Sequence, residues 1–283
     1  MVRGECDGRA AMAWTGPGAE LAAGPAPIQE WHFESRPNRR FEPGAAVWSS
    51  PALAVVAGRP MAFAGGFDQT LHALDLVAKR EVWSKLTNGR IDCGPAVGEV
   101  DGRPIVFWGS ADRTVYAAEA ADGRRWWTRE LVPPRTTLGP AELSSPLLHG
   151  DLLYITCFVF DKSLAHNEQR GWLYALAQTT GEIRWRAEVS QGPVNSPAGA
   201  TIDGRFLVFV AARKGLLQAF DVSGGEPRRV WTYQMPHEVL GSPVLDLSRG
   251  RPKLFLGSKF GNLIALDAAT GELVQPTGLG SDV

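Results

Sequence analysis

Cysteine is scarce in this chain: three residues in 283, Cys6, Cys93 and Cys157. An odd number at such separations supplies neither a disulfide framework nor a clustered zinc site. Charge of one sign is missing as well. The 29 Lys and Arg against 30 Asp and Glu leave a net charge of −1, so no global field draws the chain to nucleic acid or to an anionic membrane. No apolar run reaches the roughly 18 residues of a spanning helix. The first 30 residues also lack the continuous apolar core of a signal peptide, which makes a cytoplasmic location the expectation. Five histidines (32, 72, 149, 166 and 237) are scattered, with no His-x-x-x-His and no Cys-x-x-Cys. A phosphate loop, a Gly-x-Ser-x-Gly elbow and a His-Glu-x-x-His motif are all absent. Aromatic residues do not interleave with a basic stripe, which argues against nucleic acid again.

What the chain has instead is a repeat. Proline stands at Pro51, Pro95, Pro146, Pro197 and Pro243, and alanine at Ala73, Ala117, Ala175, Ala219 and Ala265. A third anchor is filled by Trp83, Trp127, Trp185 and Trp231, with Gln275 in the last copy. Pro to Ala is 22 residues in four copies and 29 in the third; Ala to the third anchor is 10 in four copies and 12 in the fourth. Self-similarity at this period means a repeat array.

Each copy divides into short β patterns punctuated by turns. The second shows it best: 94–100, the turn Asp101-Gly102, 104–109, a polar turn at 110–113, 114–119, a turn ending at Gly123, then 124–128. These are four antiparallel strands, A to D from inside to outside. One such sheet cannot bury both faces alone, whereas radial stacking of several buries them all. No apolar period of 3.6 persists for ten residues, so helical solenoids are excluded. The expected fold is all-β, a propeller of five four-stranded antiparallel blades. Residues 1–29, rich in Ala, Gly and Pro, are expected to be a flexible lead-in, and 30–283 one propeller domain. Because Gln275 replaces the fifth tryptophan, the strand 30–35 with Trp31 is expected to supply the outer strand of the last blade and close the ring.

At these anchors the chain resembles the PQQ-like (pyrroloquinoline-quinone-type) β-propeller repeat family, whose blade motif runs Ser-Pro, Gly-Ser-x-Asp-Gly-x-Leu-Tyr-Ala-Leu-Asp, Thr-Gly-x-x-x-Trp. Gly109-Ser110-Ala111-Asp112, Tyr116-Ala117, Tyr174-Ala175-Leu176, Thr180-Gly181, Trp185, Gly257-Ser258, Ala265-Leu266-Asp267 and Thr270-Gly271 carry the likeness, which covers about 31–275. The resemblance implies that the tryptophans dock between neighbouring blades. It also implies a choice of functions. Quinoprotein dehydrogenases of the family hold PQQ with Ca²⁺ and carry a vicinal Cys-Cys pair; assembly-scaffold lipoproteins carry a lipobox. Neither mark is present here, so no cofactor is expected, with PQQ and calcium kept as the lesser alternative.

Function should sit where the repeat is broken, because loops tolerate insertion and carry binding groups. From tryptophan to the next proline the D–A loop is 12 residues before blades 2, 4 and 5, but 20 before blade 1 (Trp31 to Pro51) and 19 before blade 3 (Trp127 to Pro146). The seven-residue excess in blade 3 falls around 158–171, between strands B and C. In an up-and-down sheet the D–A and B–C connections leave the same end, so all three enlargements are expected on one face. Its candidate ligand-binding residues are Arg36, Arg39, Arg40, Arg90, Asp112, Arg135, Thr136, Asp161, His166, Glu168, Lys214, His237 and Lys259, with Asp92 beside them. Guanidinium forks from several blades would suit a carboxylate or phosphate. The leading expectation is a binding, scaffold or sensor module holding a protein partner or a small polar or anionic ligand, with no nucleic-acid or membrane partner. The alternative is an enzyme, of the kind found in secondary-metabolite biosynthesis, using His166, Asp161 and Glu142 for proton transfer.

Overall fold

The computed structural model describes residues 47–132, 138–164, 169–190, 192–248, 250–259, 261 and 263–274. The described residues contain strands and turns with no helix. Blade 1 is β1 (Ala52–Val56), β2 (Arg59–Gly65), β3 (Thr70–Asp75) and β4 (Arg80–Leu86). Blade 2 is β5 (Ala96–Val100), β6 (Arg103–Ser110), β7 (Thr114–Glu119) and β8 (Arg125–Glu130). Blade 3 adds β9 (Leu138–Leu143) to β10 (Leu147–His149), β11 (Leu152–Asp161), β12 (Gly171–Ala177) and β13 (Ile183–Ser190). Blade 4 is β14 (Ala198–Ile202), β15 (Arg205–Ala211), β16 (Leu216–Asp221) and β17 (Arg228–Gln234); blade 5 shows β18 (Val244–Asp246), β19 (Lys253–Gly257) and β20 (Leu263–Asp267). Each blade is a meander in which neighbours in sequence pair antiparallel, apart from β9, which pairs with β11. The five-bladed all-β propeller read from the repeat is therefore the fold. The closing strand 30–35 lies outside the described residues.

The turn chemistry sets the meanders. Asp101-Gly102 and Asp203-Gly204 both have φ of 50–74° at the two central positions, the conformation a two-residue hairpin needs to match strand twist. Side chains then fall in a fixed register. The repeat alanine of strand C faces an aromatic of strand B on one side (Ala73↔Phe63, Ala117↔Phe107, Ala175↔Tyr154, Ala219↔Phe209) and the tryptophan of strand D on the other. A small residue there leaves room for the two rings to meet across it. Their centroids are 5.8 Å apart in all four blades, tilted by 39–48°, within the range of favourable aromatic pairs. A bulge follows the alanine–tryptophan pair in each case.

The tryptophans then reach into the next blade. The indole N–H of Trp83 donates to the Ala120 carbonyl (2.9 Å), that of Trp127 to Gln178 (2.7 Å) and that of Trp231 to Ala268 (3.1 Å). Each ring lies on the C–D turn glycine of that next blade: a Cβ on Gly123, Gly181 or Gly271 would come within 2.5–2.7 Å of the indole. Glycine is required twice over, since φ at these positions is 67–75°. Four apolar clusters result, between blades 1 and 2, 2 and 3, 3 and 4, and 4 and 5.

Two positions depart from the residue pattern of this joint. Blade 4 has two extra residues between Ala219 and Trp231. Its turn bonds differently, Gly225 N–H donating to the Val222 carbonyl (3.3 Å), the oxygen in register with Ala120, Gln178 and Ala268. The Trp185 indole N–H is accordingly buried without a partner. In blade 1 the glycine slot holds Lys79, at φ 53°. A tryptophan seated there as Trp83 sits on Gly123 would meet its Cβ.

Trp127→Phe strands the Gln178 carbonyl, whereas Trp185→Phe removes an N–H that had no acceptor. In urea unfolding, Trp127→Phe is expected to lose about 1–3 kcal/mol beyond the packing loss common to both variants. Equal losses would show that the inter-blade bond contributes nothing.

Candidate functional site

The D–A loops and B–C turns form one continuous lattice. Ala111, in the B–C turn of blade 2, donates to the Arg90 carbonyl of the preceding loop and accepts from Ala141 N–H of the following one, both at 2.9 Å. Arg213 repeats the pattern in blade 4, donating to Pro193 (3.0 Å) and accepting from Val239 (2.9 Å). Lys259 N–H in blade 5 donates to the Glu238 carbonyl (2.8 Å). Each loop is thus held between successive turns at the same end of the sheets. The two enlargements of blade 3 meet there as well. Residues 138–143 do not remain a loop but pair as β9 with the far end of β11 (Phe158↔Glu142, Val159↔Ala141). The single-face expectation holds for these two, and blade 3 gains a fifth strand from them. The third enlargement, 36–46, lies outside the described residues.

Where the five A strands begin, a cavity of about 370 Å³ opens. Every D–A loop contributes: Trp48 and Ser50, Arg90 and Asp92, Glu142 and Ser145, Asn195 and Ser196, Leu240 and Ser242, with Arg213 from a B–C turn. Among the described residues its two carboxylates are both held by arginines. Arg90 Nε bonds Asp92 Oδ2 at 2.5 Å, and Arg213 bonds Glu142 at 2.9 Å across blades 3 and 4. The serines before the prolines connect the blades around this mouth. Ser145 Oγ accepts from Gly94 N–H (2.9 Å), and Ser196 Oγ accepts from Ser145 N–H (3.0 Å). Asn195 Nδ2 donates to the Gly241 carbonyl at 2.8 Å.

The expected site residues divide. Arg90 is at the mouth, with its guanidinium also 5.6 Å from the Phe67 ring centroid. Asp112 accepts from Thr114 N–H (3.0 Å), Asn88 N–H (3.0 Å) and Tyr116 O–H (2.6 Å), serving its own turn and the adjoining loop. Lys259 pairs with Glu238 at 3.0 Å. Lys214 lines a separate groove with Glu188, Gln218 and Arg229 of blades 3 and 4, and His237 is exposed. Asp161 accepts from Ser163 N–H and O–H (2.9 and 2.7 Å) and lines a different cavity from Glu142, with Cys157, Gln169 and Trp172. Those two suggested proton-transfer groups are therefore not brought together. Arg36, Arg39, Arg40, Arg135, Thr136, His166 and Glu168 lie outside the described residues. Arg213, Trp48, Asn195 and the serine hydroxyls were not singled out. The serines could have been, since one precedes four of the five repeat prolines.

Cys93 borders the mouth but is buried, and its thiol donates to the Gly109 carbonyl (3.4 Å). Burial pushes the thiols of Cys93 and Cys157 up to about 12, so neither is a thiolate near neutrality.

A family model described as outer membrane protein assembly factor BamB matches residues 29–246 and 157–282. The chain belongs to this family of PQQ-like repeat propellers. No curated protein matches it in sequence. Among solved structures it is similar to the quinohemoprotein alcohol dehydrogenase from Comamonas testosteroni, with 15% identity and a TM-score of 0.62 over 82% of this chain and 42% of that one. A europium-containing methanol dehydrogenase aligns with 15% identity and a TM-score of 0.58, over 82% and 51%. BBS1N, solved in complex with ARL6DN, gives 15% identity and 0.53, over 78% and 66%. At such identities the likeness is one of fold. The chain spans about half the length of the dehydrogenases.

The described donors at the mouth do not fit a quinone held with calcium. Ca²⁺ takes about six to eight oxygen ligands, several of them carboxylate. Here Asp92 and Glu142 are each occupied by a guanidinium, and among the described residues no three His, Cys, Asp or Glu side chains converge as a metal site.

Cys93 and Cys157 are expected to resist a thiol reagent such as DTNB at pH 8 in the native protein, where both are fully protonated, and to react only after unfolding. Native titration should count at most one thiol of the three, and rapid labelling of Cys93 would contradict its burial.

Proposed function

We propose that this propeller is a binding or scaffold module that holds its ligand or partner on the face carrying the D–A and B–C loops. One observation carries this: loops from all five blades converge on a single polar mouth whose described carboxylates are both paired with arginines. Paired charges hold geometry and supply hydrogen bonds, whereas proton transfer asks for a group poised to change its charge near neutrality. The mouth is also tied into the inter-blade lattice, and a site that is already ordered loses little entropy on binding. A protein partner would use the wider face; a small polar ligand would use the cavity. The enzyme alternative is the weaker reading, because Asp161 and Glu142 border separate cavities. The module is read as working without a quinone.

A thermal-shift screen of polar metabolites on the wild type, on Arg213→Ala and on Ser196→Ala tests this. A ligand at 100 times its Kd should add about 2.7 kcal/mol to stability, and both mouth substitutions should reduce that shift. Hits untouched by either substitution would move the site elsewhere. Product formed from a hit, and lost in these variants, would make the protein an enzyme. A melting shift with PQQ and Ca²⁺ would restore the quinone.

A further inference from the structure

Taking the mouth as the binding site, we propose that its ligand is a neutral saccharide, seated between Trp48 and Leu240 and read by the hydroxyl and amide groups beneath them. The polar groups there alternate in character. Ser145 Oγ and Ser196 Oγ each accept a backbone N–H, which leaves each hydroxyl proton free to donate into the cavity. Asn195 uses its amide nitrogen on the Val239 and Gly241 carbonyls, which leaves its oxygen as an acceptor. Arg90 holds Asp92 through Oδ2, and Asp92 Oδ1 is buried with no donor. A buried acceptor without a donor costs free energy that an incoming hydroxyl recovers.

Donors and acceptors set side by side match a ligand whose every polar group both donates and accepts, which describes a sugar hydroxyl. They match an anion poorly. Two arginines against two carboxylates leave the described lining without net positive charge, and a phosphate or polycarboxylate would bring its charge against Asp92 and Glu142. Among the described residues the mouth arginines, Arg90 and Arg213, are already matched.

The rim completes the match. Trp48 is 71% exposed and Leu240 is 61% exposed, although both border the cavity. The Trp48 ring is braced by Phe67, with centroids 4.7 Å apart. A braced, exposed indole offers a flat apolar surface at little entropic cost. One face of a pyranose presents C–H groups to such a surface while its rim presents hydroxyls to the floor. The cavity, about 370 Å³, falls in the small-molecule range of about 300–1,000 Å³ and takes one or two sugar rings.

The test is a microarray of neutral and of acidic (sialylated and sulfated) glycans, followed by calorimetric titration of the best neutral glycan and of citrate. Trp48→Ala, at an exposed position, and Asp92→Asn, of equal shape, are titrated beside the wild type with circular dichroism to confirm folding. Neutral glycans are expected to bind, with affinity falling about tenfold or more in each variant and citrate inert. Absence of neutral-glycan binding, or binding indifferent to both substitutions, overturns the proposal. Citrate or acidic-glycan binding that is lost in Trp48→Ala and kept or strengthened in Asp92→Asn would overturn the neutral ligand while keeping the mouth as the binding face. Binding of neither class, with no hit in the metabolite screen, would remove both.

Discussion

A tryptophan ring laid on a glycine turn is the contact on which the rest of this structure depends. A single four-stranded meander has two apolar faces and no means of covering either. The indole of one blade covers the turn of the next, bonds its carbonyl, and packs against the aromatic of its own strand B. Three demands meet at one joint: a large ring with a polar edge, a residue without a side chain at positive φ, and an alanine narrow enough to let two rings touch. Because the joint recurs with one spacing, it sets the relation of each blade to its neighbour. The exceptions obey the same physics. Two added residues in blade 4 turn the accepting carbonyl to a local partner and orphan Trp185. Lys79 stands in the blade 1 slot that Gly123, Gly181 and Gly271 fill in blades 2, 3 and 5, also at positive φ.

From that joint the placement of the mouth follows. Meanders stacked side by side send every D–A loop and B–C turn to one end, where backbone bonds such as Ala111 to Arg90 and Ala141 lace them together. The described parts of the two large insertions of blade 3 pair with one another as β9 and the extension of β11, which satisfies backbone groups there. Two of the serines before the repeat prolines both join the blades and line the mouth. Ser145 and Ser196 accept a backbone N–H, one from the preceding blade and one from the preceding serine, and present their hydroxyls to the cavity. The site is built from the parts that hold the array together, which accounts for its order.

The joint was visible in the chain because each of its parts is a residue type at a fixed distance. Proline, alanine, tryptophan and glycine recur in step; the fold class and strand order follow from steric rules that act within one repeat, and the blade number from the count of copies. The long loops were visible as departures from that step, and their shared end followed from antiparallel connectivity. The charges were not. Arg213 and Glu142 carry no spacing signal, since their pairing depends on the distance between loops of different blades, and the Arg90–Asp92 pair, though only two residues apart, does not announce that it faces the mouth. Counted along the chain, arginines suggest an anion site; placed in space, the described ones at the mouth, Arg90 and Arg213, are each paired with a carboxylate. Asp112 and Lys259 likewise looked available and are engaged locally.

Local periodicity and turn chemistry therefore determined the architecture of this protein from sequence by itself, because a strand and its turn are decided by residues within one blade. Tertiary structure alone decided which polar groups reach the mouth, which partner each takes and which are left over, because hydrogen bonds and ion pairs act over about 3 Å between residues some 50 to 70 positions apart, such as Glu142 and Arg213.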